Sequence, residues 1–450
     1  MARLFGTDGV RGVANLHPMT AEMALEIGRA TAHVCAQHPG RRHSVLIGKD
    51  TRVSGYMLES ALTAGICSMG VDVLLVGPMP TPGIAFITRS MRADAGLVLS
   101  ASHNPYQDNG IKIFSRTGYK LPDAEEDEIE DLITSGRIKD SRPTAEMIGK
   151  ARRIEDAAGR YIVFVKNTFP DNMTLEGLKI VLDCANGATY KIAPIVFSEL
   201  GADTIPIHCS PDGANINRNC GSTHPQDLIA AVREHRADLG LAFDGDGDRV
   251  IVVDETGAEL TGDHLLAICA RDLLERDRLR NRCVVATVMS NFGFKQAMKR
   301  LGIEVAESAV GDRYVLEQMR AQDAMLGGEA SGHLIFHDHH TTGDGIVSAL
   351  QLLAVLCRTG KPLSELSRVM EMAPQHMINI DVTRKPPIEE IDDLVAAIRD
   401  AEAQLADAGR VLVRYSGTQS MCRVMVEGPD EGTTVRLTEA LAEKVRACIG

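Results

Sequence analysis

Asp244, Asp246 and Asp248 stand at alternate positions, separated by Gly245 and Gly247. Carboxylates at i, i+2 and i+4 converge on one hard cation when the glycines let the backbone wrap. So much unpaired charge directly after the apolar run LGLAF would be unfavourable without a cation. An EF-hand reading fails: counted from Asp244, the sixth position is Arg249, where that loop needs glycine, and Val250–Val253 read as a strand. Ser102, in SASHNP, follows another apolar run, and two readings fit it: a nucleophile, or a polar turn stopped by Pro105. Its surroundings are not the G-x-S-x-G nucleophile elbow. Glu329, Ser331 and His333, in GGEASGH, suit hydrogen bonds to sugar hydroxyls and equally a polar turn. Arg414-Tyr415-Ser416-Gly417-Thr418, with Arg423 beyond it, either forms a phosphate nest of N–H groups, hydroxyls and guanidinium forks or is a plain hairpin.

The segments that carry these loops share one design. Strand, turn, helix and strand follow each other from Val45, from Lys179 and from Cys283. Each is a βαβ pattern, which predicts parallel strands with a right-handed crossover. Each then reaches a further apolar run ending in one of the unusual loops: Ala93–Pro105, Ala237–Arg249 and Asp323–His333. Ligands of open α/β sheets bind beyond the carboxyl ends of strands, so three such units can point three loops into one cleft. The last eighty or so residues read β-α-β-β-α, a small α+β domain, with a boundary near Glu371–Gln375 where Pro374 interrupts the pattern. The acidic run Glu125–Asp131 reads as a solvated helix face.

With 450 residues the chain has room for several domains, and 44% apolar residues suffice for ordinary cores, which must be aliphatic because Trp is absent. A net charge of −13 argues against a nucleic-acid or anionic-membrane binder. No apolar stretch reaches 18 residues, and the start, MARLFGTDGVRG, lacks the apolar core of a signal peptide. The 10 cysteines show no C-x-x-C pair and no Cys/His ligand spacing. A reduced, cytoplasmic enzyme is therefore expected.

Taken together and in this order, the loops SASHNP, DGDGDR, GEASGH and RYSGT resemble the α-D-phosphohexomutase superfamily almost end to end. The opening FGTDGVRG and the NGIKIF at Asn109–Phe114 are more similar to the branch acting on glucosamine phosphates than to those acting on mannose or glucose phosphates. The resemblance implies an α/β protein of four domains around a central cleft, three related α/β mixed-sheet domains (1–150, 151–254, 255–370) and a small C-terminal α+β domain (371–450). It implies interconversion of glucosamine 6-phosphate and glucosamine 1-phosphate, feeding UDP-N-acetylglucosamine and cell-wall synthesis. Ser102 would carry the phosphoryl group, and one Mg²⁺ would be bound by Asp244, Asp246, Asp248 and a phosphate oxygen on Ser102. Arg249 would lie beside the metal loop, and Glu329 and Ser331 would contact the sugar. Arg414, Ser416, Gly417, Thr418 and Arg423 would hold the phosphate that is not reacting. Lys112, Arg11 and His333 match positions near the transferring phosphate, with Lys112 the first choice for proton transfer and the direction of its pKa left open by the sequence. Glucosamine 1,6-bisphosphate would be intermediate and primer. The partner is a small sugar phosphate, with no nucleic acid, no membrane and a possible homodimer.

This chain departs from the superfamily pattern at Ala330 (usually Gln), at Gln419 (usually Glu), and in the run Tyr106-Gln107-Asp108. None of these touches the nucleophile or the metal loop, so they bear on substrate fit. The rival readings are the same chemistry on glucose or mannose phosphates, a Mg²⁺-dependent sugar phosphatase, and a non-enzymatic cation binder.

Overall fold

The structure, a computed structural model, describes residues 3–6, 8–35, 42–138, 142–416 and 420–450. It divides into two compact units, Met1–Met289 with Ile303–Val369, and Ser290–Gly302 with Met370–Gly450.

The first unit holds three sheets. The first contains β1 (Val10–Val13), β2 (Ser44–Lys49), β3 (Asp72–Pro78), β4 (Ala95–Leu99), β5 (Asp108–Ser115) and β6 (Ala151–Arg153), in the order β1-β5-β4-β2-β3-β6. The second contains β7 (Lys179–Asp183), β8 (Asp203–Ile207), β9 (Leu239–Phe243), β10 (Val250–Asp254) and β11 (Glu259–Leu260), in the order β11-β10-β9-β7-β8. The third contains β12 (Cys283–Thr287), β13 (Glu304–Ser308), β14 (Leu326–Gly328) and β15 (Leu334–Phe336), in the order β13-β12-β14-β15.

The three predicted βαβ units are all present, and they repeat one sheet plan. A central parallel strand (β2, β7, β12) lies between its crossover partner and a third parallel strand. That third strand then turns into an antiparallel fourth: β4 into β5, β9 into β10, β14 into β15. Each unusual loop is this third-to-fourth connection, at the carboxyl end of the parallel set. The central strands are buried along nearly their whole length, as parallel strands covered on both faces must be. Helices Ala21–Cys35 and Ser54–Cys67 cross so closely that a Cβ on Gly65 would stand 2.2 Å from the Leu25 carbonyl oxygen.

The acidic run lies on helix Asp123–Ser135 but is not wholly solvated. Glu126 is buried against Arg313, 3.0 Å away. Burial outweighs Lys120 and Arg3 and pushes its carboxyl up to about 7.

In the second unit, β16 (Gln375–Asp381), β17 (Arg410–Tyr415) and β18 (Met421–Glu427) form an antiparallel sheet in the order β16-β18-β17. Val424 and Val426 of its central strand pack with Leu394 of helix Asp392–Leu405 and with Leu437, Leu441 and Val445 of helix Glu431–Ile449. This is the expected β-α-β-β-α order. Helix Phe292–Leu301, between β12 and β13 in sequence, belongs to this unit. Its N-terminal Asn291 donates to Glu427 (2.9 Å), which also accepts from the Phe292 N–H (3.1 Å). Among the described residues no single helix is long and apolar enough to cross a membrane.

Candidate active site

The serine loop and the aspartate loop meet in the first unit. Ser102 is buried and donates from Oγ to Asp244 Oδ2 at 2.6 Å. Gly245 has no room for a side chain, because its Cβ would lie 2.6 Å from the Ser102 carbonyl oxygen. Asp244, Asp246 and Asp248 are all buried, with one oxygen from each within 4.8 Å of the others. The Thr81 hydroxyl donates to Asp246 Oδ2 at 2.7 Å, whereas Asp246 Oδ1 and Asp248 Oδ1 are buried without a hydrogen-bond partner. Burial pushes the Asp244 carboxyl well above the usual range, reinforced by Asp248 and Asp246. Buried, mutually repelling carboxylates with orphaned oxygens are the donor set of a hard divalent cation, so the three aspartates fit one.

Ser102 takes the left-handed backbone conformation, with φ 51°. A non-glycine residue holds such a conformation at a cost of about 1–3 kcal/mol, and only when its surroundings impose it. Here Arg52 imposes it. Wholly buried, its guanidinium donates to the carbonyls of Ser102 (2.9 Å), Asn104 (2.8 Å), Pro105 and Asp108 (3.0 Å), and Nε donates to Asp50 (2.8 Å). Asn217 adds bonds to the Ser102 and Asn104 carbonyls (2.8 and 3.0 Å), and the Ser102 N–H donates to Ser100 Oγ at 2.9 Å.

Around this pair lies a ring of nitrogen groups. Lys112, on β5, stands 3.0 Å from Asp246, 3.3 Å from Asp8 and 3.7 Å from Asp248. Burial would lower its pKa, but these three carboxylates outweigh burial and raise it, which settles the direction the sequence left open. Asp8 also pairs with Arg11 and Lys120, and Lys120 reaches Asp312 at 2.6 Å. Arg249 donates its backbone N–H to Asp244 (3.2 Å) and Nη1 to His103 Nδ1 (3.1 Å). His103 is pushed down to about 4 by burial, then by Arg249 and Arg11, so it is a neutral acceptor beside Ser102.

The third loop joins through His333, whose Nδ1 is 3.6 Å from Asp248. Burial disfavours the charged ring, but Asp248 and Asp312 overcome it and raise its pKa. Glu329 accepts from the Gly311 N–H at 2.9 Å, Ser331 Oγ stands 3.5 Å from Glu329, and the Ala330 carbonyl accepts from the Gly262 N–H at 2.9 Å. Arg11 Nε, Arg249 Nε and His333 Nε2 are buried without a hydrogen-bond partner, with Asp248 3.8 Å from Arg249 Nε and Asp312 4.0 Å from His333 Nε2, and they complement the orphaned acceptors on the aspartates. Such a pairing suits a phosphoryl group between a cation and N–H donors.

In the second unit, Arg414 and Arg423 face each other in register across β17 and β18. Burial, then the neighbouring Arg423, lowers the pKa of Arg414, and Arg423 Nε is buried without a partner. Ser416 is buried at the strand end, while Gly417, Thr418 and Gln419 lie outside the described residues. Adjacent guanidinium groups without a carboxylate between them suit an anion.

Sequence reasoning found Ser102, the aspartates, Lys112, Arg11, Arg249 and His333, and the structure brings them together. It missed Asp8, Arg52, His103, Lys120, Asn217 and Asp312. Of these, Asp8 and His103 lay inside motifs already singled out, FGTDGVRG and SASHNP, and Arg52 inside the first βαβ stretch, where nothing marked it as part of the site.

Comparison with known proteins follows the same division. Profiles of the phosphoglucomutase/phosphomannomutase family match throughout: alpha/beta/alpha domain I over residues 2–139, domain II over 159–257, domain III over 261–372 and the C-terminal domain over 377–444. The chain belongs to this family. It is 60% identical to the phosphoglucosamine mutase of Pelobacter propionicus over 450 residues, covering 100% of this chain and 99% of that one. It is 59% identical to the phosphoglucosamine mutase of Geobacter metallireducens, covering 100% of both. A crystal structure of a phosphoglucomutase/phosphomannomutase family protein from Burkholderia thailandensis superposes with a TM-score of 0.82 at 26% identity, covering 99% of this chain and 97% of that one. The N-acetylphosphoglucosamine mutase of Aspergillus fumigatus shares the fold, with a TM-score of 0.67 at 16% identity and coverage of 99% and 96%.

Proposed function

We propose that this chain is a phosphoglucosamine mutase, interconverting glucosamine 6-phosphate and glucosamine 1-phosphate through a phosphoserine at Ser102 and a 1,6-bisphosphate intermediate. The observation that carries the reading is the 2.6 Å contact between Ser102 Oγ and Asp244 inside a buried aspartate cluster with orphaned oxygens, in a chain matched end to end by phosphoglucosamine mutases. The alternating aspartates would hold one Mg²⁺, which when bound offsets phosphoryl charge.

The chain's own residues do the rest. Arg52 and Asn217 fix the serine so that its oxygen meets the acceptor in line. Arg11, Arg249 and His333 supply N–H donors to the equatorial phosphoryl oxygens. Lys112, kept as an ammonium by Asp246, Asp8 and Asp248, gives a proton to the departing Ser102 Oγ and takes the sugar hydroxyl proton in its place, so its charge is unchanged at the end of the transfer. Glu329 and Ser331 read the sugar hydroxyls. Arg414, Ser416, Gly417, Thr418 and Arg423 hold the phosphate that is not reacting, and the bisphosphate reorients before the opposite phosphate returns to Ser102. The substrate is a soluble cytoplasmic sugar phosphate.

The test compares kcat/KM on glucosamine, glucose and mannose phosphates with Mg²⁺ and a bisphosphate primer. Preference for the amino sugar by tenfold or more, about 1.4 kcal/mol of discrimination, is the expected result. Equal turnover of glucose or mannose phosphate would move the assignment to a broader phosphohexomutase, and near-normal turnover by Ser102→Ala would sink the mechanism.

A further inference from the structure

Asp183, His208 and Cys220 come from three separate segments of the second sheet's domain: the end of β7, the residue after β8, and the loop before helix Gln226–His235. None has a part in the phosphoryl-transfer site. One ligand-capable atom from each lies within 4.8 Å of the other two. Asp183 and Cys220 are wholly buried, whereas His208 is only partly so. We propose that these three residues form a second metal site, for a borderline-soft divalent cation such as Zn²⁺, separate from the three-aspartate loop.

The donor set makes the distinction. One thiolate, one imidazole and one carboxylate select Zn²⁺ or its neighbours, whereas an all-oxygen set selects Mg²⁺. The outer contacts are those a metal site needs. Asp183 is oriented by two backbone N–H groups, Ala185 to Oδ1 (2.9 Å) and Gly221 to Oδ2 (2.8 Å), which leave its other lone pairs directed inward. His208 Nε2 lies 3.2 Å from Asp227, so one ring nitrogen is backed by a carboxylate. The other, Nδ1, is buried and faces Asp183 Oδ1 at 3.1 Å, the spacing of two neighbouring ligand atoms around one cation. A ring held from behind by a carboxylate, its other nitrogen facing the remaining ligands, is how metal-binding histidines are set.

Binding balances as a cation-for-protons exchange. The cation enters from the partly exposed His208 side; Cys220 releases its S–H proton and His208 its Nδ1 proton, both to solvent. Thiolate and carboxylate then neutralise the two positive charges, and water fills the fourth position. The site abuts the catalytic loops. Ser222, two residues past Cys220, donates its N–H to the Phe243 carbonyl (3.0 Å) just before Asp244, and Asn217 in the same loop holds the Ser102 carbonyl. Occupancy therefore braces the segment that supports both Ser102 and the aspartates.

The test titrates metal-free protein with Co²⁺, the spectroscopic stand-in for Zn²⁺. One equivalent should produce a thiolate-to-cobalt charge-transfer band that Zn²⁺ displaces, excess Mg²⁺ does not, and Asp246→Asn retains. Cys220→Ser should lose the band. Asp227→Asn alters a carboxylate that is 63% exposed, so the fold is kept, and it should weaken Co²⁺ binding about 10–100-fold. Absence of a thiolate band in the wild type, or its persistence in Cys220→Ser, would overturn the site. Should Cys220→Ser fail to fold, unchanged Co²⁺ affinity in Asp227→Asn would do so alone.

Discussion

Arg52→Lys separates the positioning of Ser102 from its chemistry. Arg52 serves four loop carbonyls and Asp50 at once. A lysine ammonium reaches at most two or three of these from one nitrogen, so at least two buried acceptors lose a bond from a charged donor. Each such bond is worth about 1.5–3 kcal/mol, about 4 kcal/mol in total. For a domain of this size that lowers the unfolding midpoint by about 10 °C. The left-handed Ser102 conformation, no longer imposed, relaxes. A preference of about 2.8 kcal/mol for the relaxed form leaves about one molecule in a hundred competent. We expect kcat to fall about 100-fold with KM little changed, since the proposed sugar and phosphate contacts lie elsewhere. The assay is coupled mutase turnover beside thermal unfolding followed by circular dichroism. A variant with kcat within threefold of wild type and an unchanged midpoint would refute the argument that Arg52 holds the loop.

Three further expectations follow from other features. Chelation with EDTA should abolish turnover, and Mg²⁺ should restore it; at 100 times its Kd the cation should also stabilise the fold by about 2.7 kcal/mol, read as a rise in midpoint. Arg414→Ala removes a charged donor worth about 1.5–3 kcal/mol, so KM for the sugar phosphate should rise at least tenfold with a smaller change in kcat. His340 is pushed down to about 4 by burial, with Arg89 and His339 adding to the shift; its Nδ1 accepts the Thr341 N–H and its Nε2 meets the Pro82 carbonyl. Because the folded value lies below the unfolded value of about 6.5, its stabilisation is complete above pH ~6.5 and is lost as pH falls to about 4, a loss of about 3 kcal/mol. His340→Gln should flatten that part of the stability–pH curve, and an unchanged slope in urea unfolding between those pH values would contradict it.

The sequence was most legible where a pattern repeats. Three βαβ units, each followed by an apolar run and an odd loop, predicted the sheets and marked Ser102, the aspartates and Glu329–His333 before any coordinate. Single residues that act through distant backbone were not legible. Arg52 lies fifty residues before the carbonyl it holds, Asn217 more than a hundred after it, and neither has a spacing signature. The charge state of Lys112 was not legible for a related reason. Sequence suggested arginine and metal around it, whereas the fold places Asp8 from the first strand's approach and two loop aspartates at its ammonium. Asp183, His208 and Cys220 were invisible for the same cause: adjacent strand ends bring them together, and no local motif spaces them.

The threefold sheet plan carries one more consequence. Ser102, the three aspartates and His333 each hang from a different sheet, so the proposed reaction centre draws on all three. The distances between them depend on how three sheets pack within one compact unit, and mild destabilisation that shifts this packing would be expected to act before the sheets themselves melt. Turnover is thus a finer gauge of docking than circular dichroism: mild heat or low urea should extinguish activity while ellipticity remains near its native value. A stabiliser of this enzyme would then be sought at the seams between domains before their cores.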